Sequence, residues 1–458
     1  MILDKILLVS AGLAAPLSPL FAQSREAPFA AVADRVAPRM TEYRHTIHRH
    51  PELGNREVKT AELVARHLKD LGLEVRTGIA HTGVVGLLRG KLPGPVVAVR
   101  ADMDALPVTE ATDFPFRSTD STVWLGGKTG VAHACGHDLH VAIQLGVASV
   151  LSGMRDSLAG TVMFIFQPAE EGVPPGERGG AKMMVEEGVF SRPKPDAVLG
   201  LHINGSAPDD AGDYERLGVA AYTPGPAMAS STRFRAKIQG RQAHGATPHL
   251  SVDPVVVASE VVLALQTIRS RNLPPLTPSV VTVGIIRGGN RSNIIPAEVE
   301  LEGTIRSFET AVQDTIETRM REIFQGVTRA HRARFTLEFE RTHPVTVNDT
   351  LLTSRMVPTL ERVLGKGNVQ ERPPITGAED FSYFARQVPG FFFHLGAVPE
   401  GRKSGGHHTP TFYADDRAIP IGIRVMTGLV LDFLSARNSG PSRSASAAAL
   451  PWPRGSGC

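Results

Sequence analysis

Residues 160–171 read GTVMFIFQPAEE, a β-branched and aromatic run that ends abruptly in a polar cluster carrying Glu170 and Glu171. Residues 95–102, PVVAVRAD, and 196–204, DAVLGLHIN, repeat the design. Between the first two strands, the apolar spacing of DLHVAIQLGVASVL (138–151) predicts a helix. Alternation of this kind argues an α/β domain with a mostly parallel sheet. Ligands of such sheets collect beyond the carboxyl ends of the strands. Each of these strands delivers its polar residues at that end.

Further along, the rhythm changes. From about Ala221 the order is strand (STRFRAKIQG), helix (DPVVVASEVVLALQTIRSR), two strands (PSVVTVGIIRGG and AEVELEGTIRSF), helix (309–330) and strand (RFTLEFERTH). A β-α-β-β-α-β order predicts a small ferredoxin-like α+β layer of one antiparallel sheet and two helices. The first rhythm then resumes, with a helix near 350–364, a strand at 391–397 and a helix at about 416–436. The expected organisation is one larger domain, 28–220 and 342–436, interrupted by a smaller one over 221–341. A chain of 458 residues is long enough for two cores.

Composition is that of a globular protein, 42% hydrophobic and 21% charged. The formal charge of +3 resides in the tail, where Arg437, Arg443 and Arg454 have no acidic neighbour. The balanced body offers no footprint for nucleic acid. Residues 1–22 have an early lysine, an apolar stretch and small residues before Gln23, the layout of a signal peptide, so export to a periplasmic or secreted location is expected. Pro16 and Pro19 interrupt that run and argue against a membrane span. Residues 437–458 read as a disordered tail ending in Cys458. A structural bridge from there to Cys135 is not expected, which leaves Cys135 as a free thiol or a metal ligand.

Cys135 and His137 stand two apart in a glycine-containing turn, a spacing that lets thiolate and imidazole share a cation such as zinc. Taken alone, the pair is weak evidence, and a buried small thiol with a capping histidine explains it better. Glu170 and Glu171 alter the balance, because one carboxylate can ligate while its neighbour acts as general base. His202 follows at the end of a third strand, and His407 and His408 stand in a late loop. Four separated sites with metal-capable side chains, several beside strand ends of one sheet, point to a metal centre.

The stretches RADMDALP (100–107), HACGHDLH (133–140), FQPAEEG (166–172), GLH (200–202), GGNRSNIIP (288–296), GTIR (303–306), GAEDFS (377–382) and HHTP (407–410) together resemble the M20 metallopeptidase family. Within it they are most similar to the amidohydrolase branch of hippurate hydrolases, N-acyl-amino-acid amidohydrolases and auxin-conjugate hydrolases. The resemblance implies a zinc-exopeptidase-like catalytic domain with an inserted dimerisation and lid domain, hence a homodimer. It implies two divalent ions, zinc, manganese, cobalt or nickel, held by Cys135, His137, Glu171, His202 and His408. Glu170 is then the general base that takes a proton from the attacking water. Asp102 matches an acidic residue that orients a ligand, although capping of the turn after the strand explains Asp102 and Asp104 as well. Arg100 departs from the wider family, where a metal-binding histidine often stands.

The same resemblance assigns substrate binding to the inserted domain. His244 corresponds to a histidine that reaches across a dimer to the developing oxyanion. The usual Gly-Gly-His-Ala is replaced here by Gln242-Ala243-His244-Gly245. Asn293 and Arg306 would hold the free carboxylate of the substrate, a task to which the planar arginine fork is suited. The implied reaction is hydrolysis of the amide bond of a small N-acyl amino acid to a carboxylic acid and an amino acid. A dipeptidase or carboxypeptidase on the same fold and a non-catalytic metal- or peptide-binding protein are the alternatives. A thiol redox role for Cys135 lacks a resolving cysteine nearby.

Overall fold

The computed structural model describes residues 20–205 and 213–435. The leader expected in 1–22 and the tail expected in 437–458 lie outside them, except that residues 20–22 open the helix Leu20–Arg49. The molecule is α/β. Its main sheet has eight strands, and the central four run parallel: Ala159–Gln167, Leu92–Asp102, Ala197–Asn204 and Gly390–Gly396. Antiparallel strands Glu74–Ile79 and Gly83–Arg89 extend one side. Ala220–Tyr222 and Val369–Glu371 extend the other. Ala221 and Tyr222 therefore belong to this sheet and not to the start of the smaller unit. Three residues cannot sit in the small sheet while their backbone groups pair in the large one.

The central strands read as continuous apolar runs because both faces are covered. On one face Leu20–Arg49, His137–Ser152, Thr350–Leu364 and Ala418–Ser435 pack around Met40, Ile143, Phe164 and Ile423. On the other, Gly180–Glu186 and Ser382–Ala385 pack around Met184, Phe381 and Phe384. Ala418–Ser435 is long and apolar enough to cross a membrane, but it is 67% buried as a core helix. Its contact with His137–Ser152 is made by reciprocal glycines. A Cβ at Gly146 would stand 2.3 Å from Ile423 Cδ1, and one at Gly422 would stand 2.6 Å from Ile143 Cδ1.

The smaller unit has the expected order, Ser230–Gln239, Pro254–Thr267, Ser279–Gly288, Glu298–Ser307, Thr310–Ala330 and Arg334–His343. Its four antiparallel strands bury Phe234, Leu265, Ile316 and Phe324 beneath two helices. Asp253 caps the first helix by accepting the Val255 N–H at 2.9 Å, with Pro254 at the first helical position. The chain crosses between units through a paired ribbon, in which Gly225–Met228 lies antiparallel to Thr346–Asn348 with Met228 opposite Thr346. The Asn348 side chain pins this ribbon to the main sheet, donating to Thr223 O and Phe392 O and accepting the Phe392 N–H.

A separate hairpin, Ser121–Trp124 with Gly127–Gly130, belongs to the larger unit. Leu125 (φ 50°) and Gly126 (φ 81°) form its tip. Turns with two positive φ angles select Asn-Gly or similar pairs, and a leucine there costs about 1–2 kcal/mol.

Candidate metal centre

The site begins with three strand ends. Asp102 closes Leu92–Asp102, Glu170 and Glu171 follow Ala159–Gln167, and His202 lies near the end of Ala197–Asn204. His137 opens the helix His137–Ser152 behind Gly136, whose φ of 92° turns the chain and whose missing Cβ leaves room for Ile203. The late loop brings His408, held by a hydrogen bond from its N–H to Ala134 O at 2.8 Å.

Ligand-capable atoms of Cys135, His137 and His202 lie within 4.8 Å of one another, as do those of Cys135, Glu171 and His408 and those of His137, Glu170 and Glu171. The sequence-expected ligands thus converge on one cluster. The hydrogen bonds decide which nitrogens are free. His137 donates Nδ1–H to Asp104 O at 2.8 Å, and its buried Nε2 has no hydrogen-bond partner, standing 3.7 Å from Asp102 Oδ2 and 3.9 Å from Glu171 Oε1. His202 donates Nδ1–H to Ile203 O at 2.7 Å, leaving the Nε2 lone pair 3.5 Å from Cys135 Sγ. His408 Nε2 lies 3.0 Å from Glu171 Oε1, yet that buried oxygen has no aligned donor. Imidazoles fixed through one nitrogen, with the other aimed at a thiol and an orphan carboxylate oxygen, fit a divalent metal. His140 is not such a ligand, because Nδ1 donates to Asp102 at 2.5 Å and Nε2 accepts the Ile203 N–H. His407 stands beside the cluster, its Nδ1 3.5 Å from Cys135 Sγ.

The electrostatics also favour positive charge at the cluster. Burial opposes charge on His137, but Asp102, then Asp104 and Glu171, outweigh it and raise its pKa to about 10. Burial, with Glu171 and Glu170, pushes the Cys135 thiol well up, so a thiolate here needs a metal. Burial and the neighbouring Glu379 and Glu171 also raise Glu170, against the pull of Arg100.

The supporting roles of several residues escaped the sequence reading. Arg100, wholly buried, donates to Asp102 at 2.6 Å, Glu379 at 2.8 Å, Asp380 at 3.1 Å and Gln167 at 2.8 Å. Its guanidinium neutralises the acids behind Glu170. The Asp104 carboxylate accepts the N–H groups of Glu170 at 3.1 Å and Glu171 at 2.9 Å, a role beyond capping its own turn. Buried Glu57 accepts the Ala169 N–H at 2.8 Å. Ala169 has φ 53°, so three successive N–H groups are gripped while the chain makes a left-handed turn that presents both glutamates. Only GAEDFS, among the motifs already noted, signalled Glu379 and Asp380.

A cavity of about 990 Å³ opens over the cluster and is closed on the far side by the smaller unit. Arg306 lines it, half-buried and without a hydrogen-bond or ion-pair partner among the described residues; burial lowers its pKa. His343, also in the wall, is held to about 4 by burial and Arg306. His244 and Asn293 are not part of this wall. They lie together on the exposed end of the smaller unit, with the Gly245 N–H donated to Asn293 O at 2.8 Å.

A family model for peptidase family M20/M25/M40 matches residues 98–432. Thermostable carboxypeptidase 2 of Saccharolobus solfataricus is 38% identical over 85% of this chain and 94% of its own. N-acetyl-L-cysteine deacetylase of Bacillus subtilis is 36% identical over 82% of this chain and 83% of its own. Among solved structures, the YXEP protein of Bacillus subtilis, described as a dinuclear metal binding peptidase from the M20 family, superposes with a TM-score of 0.72 at 30% identity, covering 88% of this chain and 99% of its own.

Proposed function

Because this chain belongs to peptidase family M20/M25/M40 and is a metal-dependent hydrolase of amide bonds, we propose that its substrates are N-acyl amino acids, cleaved to a carboxylic acid and a free amino acid. The wall of the cavity carries this reading. It offers Arg306, half-buried and without a partner among the described residues, for a substrate carboxylate, whereas Lys182, the other lining cation without a partner among them, is exposed. Its acids outside the cluster are already paired: Glu177 with Arg56, Glu186 with Arg178, Glu340 with Arg233, and Glu379 and Asp380 with Arg100. A dipeptide would bring an ammonium group that finds no free carboxylate there, and an acyl group needs none.

Divalent ions, two in this reading, supply Lewis-acid polarisation of the carbonyl and lower the pKa of water. Cys135, His137, Glu171, His202 and His408 would hold them. Glu170 takes the proton of the attacking water and delivers it to the leaving nitrogen. Asp104 and Glu57 hold the backbone from which Glu170 projects, and Arg306 fixes the carboxylate end. His244 and Asn293 are proposed to complete the site of a second subunit. Exposed Val255, Val256 and Leu263, with Ile286 on the edge strand Ser279–Gly288, offer such a subunit an apolar surface. Export directed by residues 1–22 remains part of the proposal.

The test is release of amino acid from N-acetyl, N-benzoyl and dipeptide substrates after chelation and after adding back zinc, manganese, cobalt or nickel. Metal-dependent release from the acylated compounds is expected, and release from dipeptides alone would transfer the assignment to an exopeptidase. Glu170→Gln should lower kcat by about 10²–10⁴-fold with metal content unchanged by elemental analysis. Retention of most of the activity would remove Glu170 as the base.

A further inference from the structure

The hairpin around Trp124 has no core of its own. It is tied at its base, where the Thr129 hydroxyl donates to Pro107 O at 3.1 Å and the Gly130 N–H donates to the Thr109 hydroxyl at 3.0 Å. Isolated two-stranded hairpins are marginal in water, and this one still carries Val123 (70% exposed) and Leu125 (76% exposed) at its end. Trp124, between them, turns inward and lines the cavity over the metal cluster. Leu53, Leu106 and Pro107 line the same cavity. The backbone shows that these neighbours are contiguous, since Leu53 bridges Ala105 and Leu106 bridges Ala132 at the foot of the hairpin. This apolar wall adjoins the catalytic loop, because Gly54 lies against Gly172 O and Ala169. The smaller unit closes the same cavity with Ser231, Arg233, Arg306 and His343, a polar and cationic wall.

The two walls divide the substrate. With its carboxylate on Arg306, as proposed above, the acyl group is left to the apolar lining, of which Leu53, Leu106, Pro107 and Trp124 form the part on the hairpin side and Met183, Met228 and Ile375 another. We propose that Trp124 is a specificity-determining residue that selects a bulky apolar acyl group, aromatic before short aliphatic, through face or edge contact with the indole. This rests on the amidohydrolase reading and adds to it the side of the cavity that chooses the acyl group.

The chain has two tryptophans, Trp124 and Trp452, the second outside the described residues. In a Trp452→Phe background Trp124 is the sole indole reporter. The first measurement is the ratio of kcat/KM for N-benzoyl over N-acetyl derivatives of one amino acid. Trp124→Ala should lower that ratio about tenfold, mainly through KM of the benzoyl compound, and Trp124→Phe should restore most of it. An unchanged ratio would overturn the proposal. The second is quenching of Trp124 fluorescence by an N-(4-nitrobenzoyl) amino acid in the Trp452→Phe, Glu170→Gln protein. Saturable quenching, displaced by N-benzoyl but not by equimolar N-acetyl amino acid, is expected, and its absence would overturn the proposal even where turnover is normal. If the wild type hydrolyses neither compound, the amidohydrolase reading fails, while the quenching result still decides whether Trp124 meets the acyl group.

Discussion

Glu57 shows how a residue far from the chemistry sets its geometry. Burial, then the charge of Asp104, pushes its carboxyl up to about 8. A folded-state pKa above the unfolded value means that the folded protein binds the extra proton, so stability falls as pH rises from about 4.3 towards 8. Glu57→Gln keeps an oxygen for the Ala169 N–H and removes the titration. Its melting temperature relative to wild type should therefore rise between about pH 5 and pH 8 and level off above. A difference that stays constant across that range would show that Glu57 does not titrate there. The residues that converge on the cluster were legible in the sequence because thiol, imidazole and adjacent carboxylates are rare together. The grip of Asp104 and Glu57 was not, because its partners lie far apart in the chain and present only backbone N–H groups. No residue type advertises a backbone donor.

At the level of elements, strands were readable wherever an apolar run ended in polar residues, and helices wherever apolar spacing was regular. The hairpin at Ser121–Gly130 escaped because STVW is short and its turn breaks the usual residue preference. Ala221 and Tyr222 of the short strand Ala220–Tyr222 were misplaced for a related reason. Three residues hold no period, and their sheet is chosen by the backbone partners Val369–Glu371 and Phe393–Leu395. The reciprocal glycines of His137–Ser152 and Ala418–Ser435 fix how closely these helices approach. Gly146→Ala gains about 1 kcal/mol of helix propensity but drives a methyl into Ile423. Overpacking costs about 1–3 kcal/mol, so net destabilisation of up to about 2 kcal/mol is expected in urea unfolding. Pairing Gly146→Ala with Ile423→Val should recover part of it. A single variant more stable than wild type would show that the helices can move apart freely.

For the whole molecule, the proposal that the exposed His244 and Asn293 complete the site of a second subunit is testable by complementation. Glu170→Gln and His244→Ala proteins should each be nearly inactive. After dissociation and random reassociation, half the dimers are mixed and each has one intact site, so about a quarter of wild-type activity should return. No recovery in dimers shown to have exchanged would exclude the trans role of His244. The division into two rhythms was legible, since each unit keeps its own order of elements. Their relative placement was not, because the cavity depends on side chains such as Arg306 and Trp124 that come from opposite units. The paired ribbon has a consequence for ancestry and engineering. The chain leaves the catalytic unit at Met228 and returns at Thr346, residues that already face each other across a ladder. A tight turn joining these two positions would therefore close a single-domain hydrolase scaffold, and the smaller unit can be regarded as a cassette spliced into the tip of an ordinary hairpin. Such a graft point accepts other folded modules whose ends meet, each bringing a different wall to the same metal-binding floor.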